Sequence, residues 1–325
     1  MADPEKIVYL HKEGHTPDEI VDLFKKSVPD GFSLTFSSDK EPDEQRRALI
    51  ADADYIIIYG RPFEDIDVAK KAKILQVLSA GFDRFDLDQL REAGLPVCNN
   101  GGANAPTVAE QVILFILALN KKFMLHHQGL QNGKWIGHVH AMDMYELRGK
   151  QVGIIGFGNI GREVARLTNG FLAKPVFCDE FDVPEDVKKE FNATQMSFEE
   201  LISTSDVVTA HVPLNDSTRG MINRDVFKKM KNSAYYIATS RGPVTKEADL
   251  IAALDAGDIA GAGIDVFEDE PTSPDNPLLG RDNVVTTPHN AGTSIDTWIR
   301  RMEFGYANIV RVSKGEKPLA IVNGL

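Results

Sequence analysis

Three stretches in the second half of the chain end an apolar run with a side chain that can bind anions or exchange protons. They are YYIATSRGPV with Arg241, GIDVFEDEP with Asp265 and Glu270, and NVVTTPHNAG with His289. A planar guanidinium binds a carboxylate through two parallel hydrogen bonds, and an imidazole beside a carboxylate can donate or accept a proton near neutral pH. Because ligands bind outside the carboxyl ends of the strands in parallel sheets, we predict that these side chains share one rim.

A glycine-rich stretch, GIIGFGNIGREVA, indicates what else such a rim would bind. Gly156, Gly158 and Gly161 have the Gly-x-Gly-x-x-Gly spacing, after a strand-like run and before a helix-like run. The three glycines permit a tight turn, close approach of a pyrophosphate, and close packing of the helix on the strand. The anion would then lie at a helix N-terminus. We therefore predict a dinucleotide site at this turn.

Asp179 indicates which dinucleotide binds. It ends the next strand-like run, about 20 residues after the glycines, where the ribose-binding acid of such sites is expected. A carboxylate can accept both ribose hydroxyls of NAD, whereas its repulsion of a 2′-phosphate would reach about 4 kcal/mol per unit charge at contact. Glu180 and Asp182 add to this repulsion, and no Lys or Arg follows Asp179 until Lys188. The predicted cofactor is NAD rather than NADP.

Strand-like and helix-like segments alternate along the whole chain, which is typical of parallel α/β folds. The chain of 325 residues exceeds what one hydrophobic core usually covers. We predict the α/β class: a Rossmann-type doubly wound parallel sheet plus a second, flavodoxin-like α/β substrate domain. Capping boxes at Thr16–Glu19, with Pro17 as the first helical residue, and at Ser197–Glu200 are predicted to begin two of the helices. The predicted strands are KIVYLH, FSLTFS, DYIIIYG, ILQVLS and LPVCNN, followed by QVGIIG, PVFCD, DVVTAHVP, AYYIATS, AGAGIDVF and NVVTTP.

Composition narrows the class of protein. The net charge of -12 disfavours nucleic acid and anionic membranes as partners, because both require clustered Lys and Arg. The N-terminus does not resemble a signal peptide, and the longest apolar run is too short for a membrane span. The two cysteines, Cys98 and Cys178, have no metal-binding or redox spacing, so we predict structural thiols, no metal site and a cytoplasmic location.

A segment between the two series of strands differs from both. NAPTVAEQVILFILALNKK is apolar nearly all round from Val112 to Leu119, which predicts a helix buried between layers or at an interface. The long stretch that follows, FMLHHQGLQNGKWIGHVHAMDMYELRGK, carries Trp135 and four histidines without a clear period. A stretch of this length is usually an arm, a lid or an interface element.

These motifs, in this order, resemble the D-isomer-specific 2-hydroxyacid dehydrogenases, the family of D-lactate, glyoxylate/hydroxypyruvate and phosphoglycerate dehydrogenases. The resemblance rests on GIIGFGNIGREVA, HVPLNDSTRGMIN, YYIATSRGPV, GAGIDVFEDEP and VVTTPHNAG, with VLSAGFDRFDL and NGGANAPTVAE earlier in the chain. It runs from roughly residue 50 to 310. The implied activity is NAD-dependent hydride transfer between NADH and a small 2-oxo acid or D-2-hydroxy acid.

The resemblance implies a role for each position that matches the family's motifs. Arg241 is the expected catalytic arginine, Glu270 the catalytic acid and His289 the proton donor, with Arg241 and His289 also contacting substrate. Backbone groups of Ala80 and Gly81 are expected to meet the substrate carboxylate. Residues expected to bind the cofactor are Thr107, Gly156, Gly158, Asn159, Ile160, Gly161, Asp179, His211, Val212, Pro213, Thr239, Asp265 and Gly292, with Asp265 on the nicotinamide carboxamide and residues 211–213 along the adenosine.

The resemblance also implies a domain organisation and an assembly. Residues 1–102 and 296–325 would form the substrate-binding domain, and residues 103–295 the NAD-binding domain. An arm at about 121–149, together with the apolar helix before it, would build a homodimer.

Some positions depart from the family pattern or leave the substrate open. Pro243, Thr245 and Asn290 are unusual residues for their motifs, and we expect them to affect substrate preference more than chemistry. Candidate pocket residues are His11, Tyr59, Arg61, Trp135, His138 and Trp298. Arg61, if it points inward, would favour a phosphorylated or dicarboxylic substrate; otherwise glyoxylate, hydroxypyruvate and pyruvate are equally open.

Two other functions compete with this interpretation. Related formate oxidisers carry glutamine where this chain has Glu270, and phosphite oxidisers carry lysine where it has Ala80. An NAD-sensing, corepressor-like scaffold would keep the fold and bind protein partners instead of turning over a substrate.

Overall fold

The computed structural model describes residues 3–325, which divide into two compact units. Unit 1 contains the residues up to Asn104 together with Thr293–Leu325, and unit 2 is Ala105–Gly292. The roles predicted for the two units, substrate binding and cofactor binding, stay predictions.

Unit 1 is a parallel α/β sheet whose strands are joined by helices. Its strands are β1 (Glu5–His11), β2 (Phe32–Ser38), β3 (Tyr55–Tyr59), β4 (Leu75–Val77) and β5 (Val97–Cys98), and its helices are α1 (Asp18–Lys26), α2 (Asp43–Asp52), α3 (Leu87–Glu92) and α11 (Ile295–Ser313). The strand order is β2-β1-β3-β4-β5, which is the flavodoxin-like order.

Unit 2 is a larger parallel sheet in the order β12-β11-β10-β9-β6-β7-β8. The order reverses between β6 and β9, as in doubly wound dinucleotide-binding folds. Its strands are β6 (Gln151–Ile155), β7 (Lys174–Cys178), β8 (Thr194–Gln195), β9 (Val207–Ala210), β10 (Tyr235–Ala238), β11 (Gly261–Ile264) and β12 (Val284–Thr286). Its helices are α4 (Ala105–Asn120), α5 (Phe123–Gln131), α6 (Asn159–Gly170), α7 (Glu185–Glu190), α8 (Phe198–Thr204), α9 (Arg224–Lys229) and α10 (Glu247–Ala256), with single 3₁₀ turns at Ala141–Asp143 and Gly242–Val244.

Apolar side chains cover both faces of each sheet, which explains why most strands read as continuous apolar runs. All eleven predicted strands are present, and the predicted fold class is confirmed. The strand that the sequence did not predict is β8, which has two residues, neither of them apolar. No helix within residues 3–325 has both the length and the apolarity to cross a membrane.

One predicted capping box is correct and the other is wrong. Ser197 caps α8, and its hydroxyl accepts a hydrogen bond from the Glu200 N–H at 3.2 Å. Thr16 does not cap α1, because the residue at the N-cap is Pro17, which makes no side-chain cap bond. The Thr16 hydroxyl is buried and lies 3.3 Å from the hydroxyl of Tyr9.

The apolar helix that follows the first unit, α4, packs on its own sheet. It contacts α6, β10 and β11, and Val112, Phe115 and Ile116 are buried there. Leu114 is exposed, so the helix still presents an apolar side chain to its surroundings. Most of its apolar side chains are therefore buried within unit 2, in line with the alternative of a helix buried between layers.

Candidate active site

The glycine turn after β6 is shaped by close backbone contacts. Gly156 has a φ of 89°, and a Cβ there would lie 2.9 Å from the carbonyl oxygen of His211. A Cβ on Gly161 would lie 2.2 Å from the carbonyl oxygen of Gly156. Only glycine allows helix α6 to begin this close to the strand that precedes it.

The second glycine of the motif borders open space. Gly158 is the N-cap of α6 without a side-chain cap bond, and a Cβ on it would meet no atom within 4 Å. The backbone N–H groups at the start of α6, including those of Asn159 and Ile160, have no intrahelical partner. An uncapped helix N-terminus with free space beside it fits a pyrophosphate.

Asp179, directly after β7, is anchored to the same turn. Its Oδ2 accepts a hydrogen bond from the Phe157 N–H at 2.7 Å, and its Oδ1 accepts one from the Phe181 N–H at 3.2 Å. The carboxylate thus holds the glycine turn in place as well as standing where the ribose is predicted. A carboxylate has about four acceptor positions, so two remain for hydroxyl groups.

Two buried polar atoms, after the neighbouring strands β9 and β10, lack partners. The Nε2 of His211 lies 3.0 Å from Thr209 Oγ1, but its Nδ1 is buried without a hydrogen bond, as is the hydroxyl of Thr239 at the end of β10. Burial lowers the pKa of His211 to about 3, so the ring is neutral at physiological pH. Buried polar groups are normally paired, and these two therefore fit the polar groups of a bound dinucleotide.

The predicted acid and imidazole meet. His289 Nδ1 lies 2.7 Å from Glu270 Oε2, while the other carboxylate oxygen accepts a hydrogen bond from the Phe267 N–H at 3.1 Å. The side chains of His289 and Glu270 are 41% and 25% exposed. With Nδ1 engaged by the carboxylate, Nε2 is the ring nitrogen left for a ligand.

The pKa of Glu270 is lowered despite its partial burial. Burial by itself would raise this pKa, but the hydrogen bond and charge of His289, the Phe267 N–H and the charge of Arg241 together hold it below its usual value. Glu270 is therefore a carboxylate at neutral pH, and Arg241 lies within electrostatic range of it.

Asp265 organises the loop that carries His289. The residue is 1% exposed, and its carboxylate accepts hydrogen bonds from Thr287 Oγ1 at 2.6 Å and from the N–H groups of Asn290 at 2.9 Å and Ala291 at 3.0 Å. Its backbone oxygen accepts the His289 N–H at 2.7 Å. These bonds hold His289 at a φ of 51°, in the left-handed region that is uncommon for residues other than glycine.

We call these bonds between Asp265 and the loop of residues 287–291 the clamp. The sequence does not predict it. We expected Asp265 to hold the cofactor carboxamide, and three of the acceptor positions of its carboxylate are instead used inside the protein. The contact to the carboxamide stays a prediction. Only the remaining acceptor position of the Asp265 carboxylate could make it.

Gly242 explains how Arg241 is placed beside Glu270. A Cβ on Gly242 would lie 1.7 Å from the carbonyl oxygen of Phe267 and 2.6 Å from the N–H nitrogen of Glu268. The two loops therefore touch through their backbones. The Nη1 of Arg241 donates to the carbonyl oxygen of Ser240 at 2.8 Å.

Thr245, noted as an unusual residue for its motif, lies in the core. It is 5% exposed, and its hydroxyl pairs with that of buried Tyr236 at 2.7 Å. This departure therefore affects packing, and our expectation that it influences substrate preference has no contact to support it.

The remaining predicted site residues lie in two places. Ala80 and Gly81 follow β4 in unit 1, where their carbonyl oxygens accept bonds from Asn99 and from Ser79. Within the described residues, their own N–H groups donate to no other group, as required of donors to a substrate carboxylate. Thr107 in the first turn of α4 and Gly292, Val212 and Pro213 belong to unit 2.

Comparison with known proteins identifies the family. The family model for the D-isomer specific 2-hydroxyacid dehydrogenase NAD binding domain matches residues 113–291. A glyoxylate reductase from Korarchaeum cryptofilum is 33% identical over 312 residues, which are 94% of either chain. A formate dehydrogenase from Candida boidinii is 33% identical over 298 residues, covering 86% of this chain and 81% of that one.

A solved structure extends the similarity to the whole fold. The holo form of D-mandelate dehydrogenase from Rhodotorula graminis superposes with a TM-score of 0.85 at 25% identity, covering 99% of this chain and 98% of that one. The family model and the relatives together show that the chain belongs to the D-isomer-specific 2-hydroxyacid dehydrogenases.

Proposed function

We propose that this protein reduces a small 2-oxo acid to the D-2-hydroxy acid with NADH, and that Arg241, Glu270 and His289 carry out the chemistry. The observation that carries the proposal is the 2.7 Å hydrogen bond between His289 Nδ1 and Glu270 Oε2. It fixes the ring so that Nε2 is the atom available to donate a proton.

Each of the three side chains meets one demand of the reaction. When bound, NADH supplies the hydride that the carbonyl carbon receives. His289 donates the proton to the carbonyl oxygen through Nε2, and the Glu270 carboxylate stabilises the imidazolium before transfer. The guanidinium of Arg241 binds the carboxylate and carbonyl oxygens of the substrate in the orientation for transfer. In the direction of oxidation, neutral His289 accepts the proton instead.

The cofactor-binding residues serve this reaction by fixing the dinucleotide. The N-terminus of α6 would hold the pyrophosphate, Asp179 the ribose, and the unpartnered atoms of His211 and Thr239 other polar groups of the dinucleotide. The carboxylate of Asp179 supports NAD over NADP.

A panel of substrates tests the proposal. We expect NADH oxidation with glyoxylate, hydroxypyruvate or other 2-oxo acids, measured as steady-state loss of NADH absorbance. Turnover of formate with NAD instead would favour the formate dehydrogenase alternative, for which similarity to formate dehydrogenases is the supporting observation. NADH binding without turnover of any substrate would favour the corepressor-like alternative.

We further propose a cytoplasmic homodimer. Its supporting observation is a set of exposed apolar side chains on α5 and the segment after it: Phe123, Leu130, Trp135, Val139 and Met142. Small molecules, not nucleic acid or membranes, are the proposed partners, in line with the net charge of -12.

Sedimentation at micromolar concentration should give twice the mass of the chain, and replacing Met142 by Glu should shift the protein toward monomer. A monomeric wild type would contradict the assembly.

Replacing His289 by Ala should lower kcat roughly 10²- to 10⁴-fold, the usual contribution of a positioned acid. The affinity for NADH, measured by fluorescence, should change little, because none of the predicted contacts to the dinucleotide uses this side chain. Near wild-type turnover in this variant would remove the imidazole from the mechanism.

Replacing Glu270 by Gln should alter the pH dependence of reduction as well as its rate. The pKa of Glu270 is held below its usual value, so in the wild type the carboxylate loses its charge, and reduction its support, only when the pH falls well into the acid range. Without this carboxylate His289 loses its charged hydrogen-bond partner, so kcat/KM should be lower at neutral pH and the acid-side decline caused by protonation of Glu270 should be absent. Replacing the exposed neighbour Asp269 by Asn is the control, and an identical pH profile in both variants would refute the role of Glu270.

Replacing Arg241 by Lys should lower kcat/KM for 2-oxo acids by about ten- to a hundredfold, because an ammonium cannot reproduce the two parallel hydrogen bonds of the guanidinium. The same exchange at Arg281, a partly buried arginine that pairs with Asp255, should have no such effect. Unchanged kinetics of the Arg241 variant would mean that the substrate is held elsewhere.

A further inference from the structure

The sheet of unit 1 has its own topological switch point, between β1 and β3. The chain passes from β1 to β2 on one side of it and to β3 on the other. In open parallel sheets, ligands bind outside the carboxyl ends of the strands at such a point. His11 is the last residue of β1 and is in register with Tyr59, the last residue of β3.

Two buried nitrogen atoms at this point have no hydrogen-bond partner. They are Nδ1 of His11 and Nη1 of Arg61, which follows β3 by two residues. A buried N–H without an acceptor carries a desolvation cost that a ligand can remove. For a guanidinium, the best acceptor is an anionic oxygen.

Electrostatic effects place more cations at the same edge. Burial, followed by the charges of Lys12 and Arg84, lowers the pKa of His15, and the charge of Asp39 opposes this shift. The pKa of Asp39 is lowered, first by a backbone hydrogen bond and then also by the charges of Arg61 and Lys12. Lys12 and Arg61 thus lie within electrostatic range of Asp39, and Lys12 and Arg84 within range of His15, in a chain whose net charge is -12. We call His11, Lys12, Arg61 and Arg84 the basic edge.

A third guanidinium lies against the end of β3 from helix α11. Arg301 is 5% exposed, and its Nη1 donates to the hydroxyl of Tyr59 at 3.3 Å. It lies over the rings of Tyr59 and Trp298, at 5.1 Å and 5.0 Å from their centroids. The aromatic rings exclude water from this side of the edge, which strengthens attraction between a cation and an anion there.

We propose that the basic edge binds a second anionic group of the substrate, so that the preferred substrates are 2-oxo acids with a further carboxylate or phosphate. The proposal rests on the proposed function, since it names the substrate class of that reaction. The Ala80 and Gly81 N–H groups, which are predicted to receive the 2-oxo carboxylate, follow β4, and β4 is the neighbour of β3. The two ends of such a substrate would therefore meet adjacent strand ends of one sheet.

The test compares three substrates of the wild-type enzyme. Glyoxylate has one anionic group, oxaloacetate adds a carboxylate, and phosphonooxypyruvate adds a phosphate. We expect kcat/KM for at least one of the two larger substrates to exceed that for glyoxylate by about tenfold or more, in line with a charged hydrogen bond. The larger of these two kcat/KM values shows whether the basic edge prefers a carboxylate or a phosphate.

Variants link the preference to the basic edge. Arg61→Ala should lower kcat/KM for the preferred dianion by about ten- to a hundredfold, with a change below about threefold for glyoxylate. Arg61→Lys keeps the charge and should retain part of the preference. This variant also tests the proposal if the alanine variant does not fold. The control is Arg91→Ala, which removes an exposed guanidinium of α3 paired with Asp88.

Two results would overturn the proposal. One is a wild-type kcat/KM for glyoxylate equal to or above those for both dianions. The other is an equal loss for glyoxylate and the dianion in the Arg61 variants. Both differ from failure of the proposed function, which would appear as no NADH oxidation with any 2-oxo acid and would overturn the two proposals together.

Discussion

The buried carboxylate of Asp265 is the constraint on which the candidate site depends. It accepts three hydrogen bonds from the loop after β12, and its backbone oxygen accepts a fourth from His289. A buried carboxylate is tolerated only when its oxygens are satisfied, so the loop and the acid stabilise one another. The consequence is a histidine in an uncommon backbone conformation whose ring meets Glu270. Strain of this kind persists at functional sites because the surrounding bonds over-determine it.

The roles proposed for the two units differ. Unit 2 supplies the guanidinium, the imidazole and the acid, and all three follow strands of one parallel sheet. Unit 1 supplies the unpaired N–H groups after β4 and the cations at the switch point between β1 and β3. In both sheets the chemistry-bearing residues follow the carboxyl ends of strands, where the N-termini of the following helices also lie.

Much of this could be predicted from the sequence, because the strands are buried on both faces and therefore read as continuous apolar runs. The glycine spacing likewise predicts the turn and the helix start that the structure has, and it is the basis for the proposed anion site. The cap that is wrong and the strand that is missing have different physical causes. Thr16 resembles a helix cap, but the hydroxyl of Tyr9 lies next to it. β8 is too short and too polar to produce a pattern.

The clamp at Asp265 is missed because its partners are distant in sequence. The acid and its donors are separated by more than twenty residues, and a pattern search assigns such an acid to a ligand before it considers the protein's own backbone. The buried unpaired nitrogens of His11 and Arg61 are equally invisible in sequence, since pairing is a property of the folded chain. The signal that could have indicated the clamp is the polar composition of TTPHNAG, which is rich in groups that donate to a carboxylate.

The backbone contact at Gly242 has an evolutionary consequence. Since no side chain fits between this residue and the loop of Phe267 and Glu268, the arginine and the acid form a single mechanical block that tolerates little variation. Diversification toward new substrates is then confined to surfaces outside that block. Descendants of this chain would then change their substrate through residues outside the block, such as those proposed at the strand ends of the unit 1 sheet. The reaction itself would stay the same.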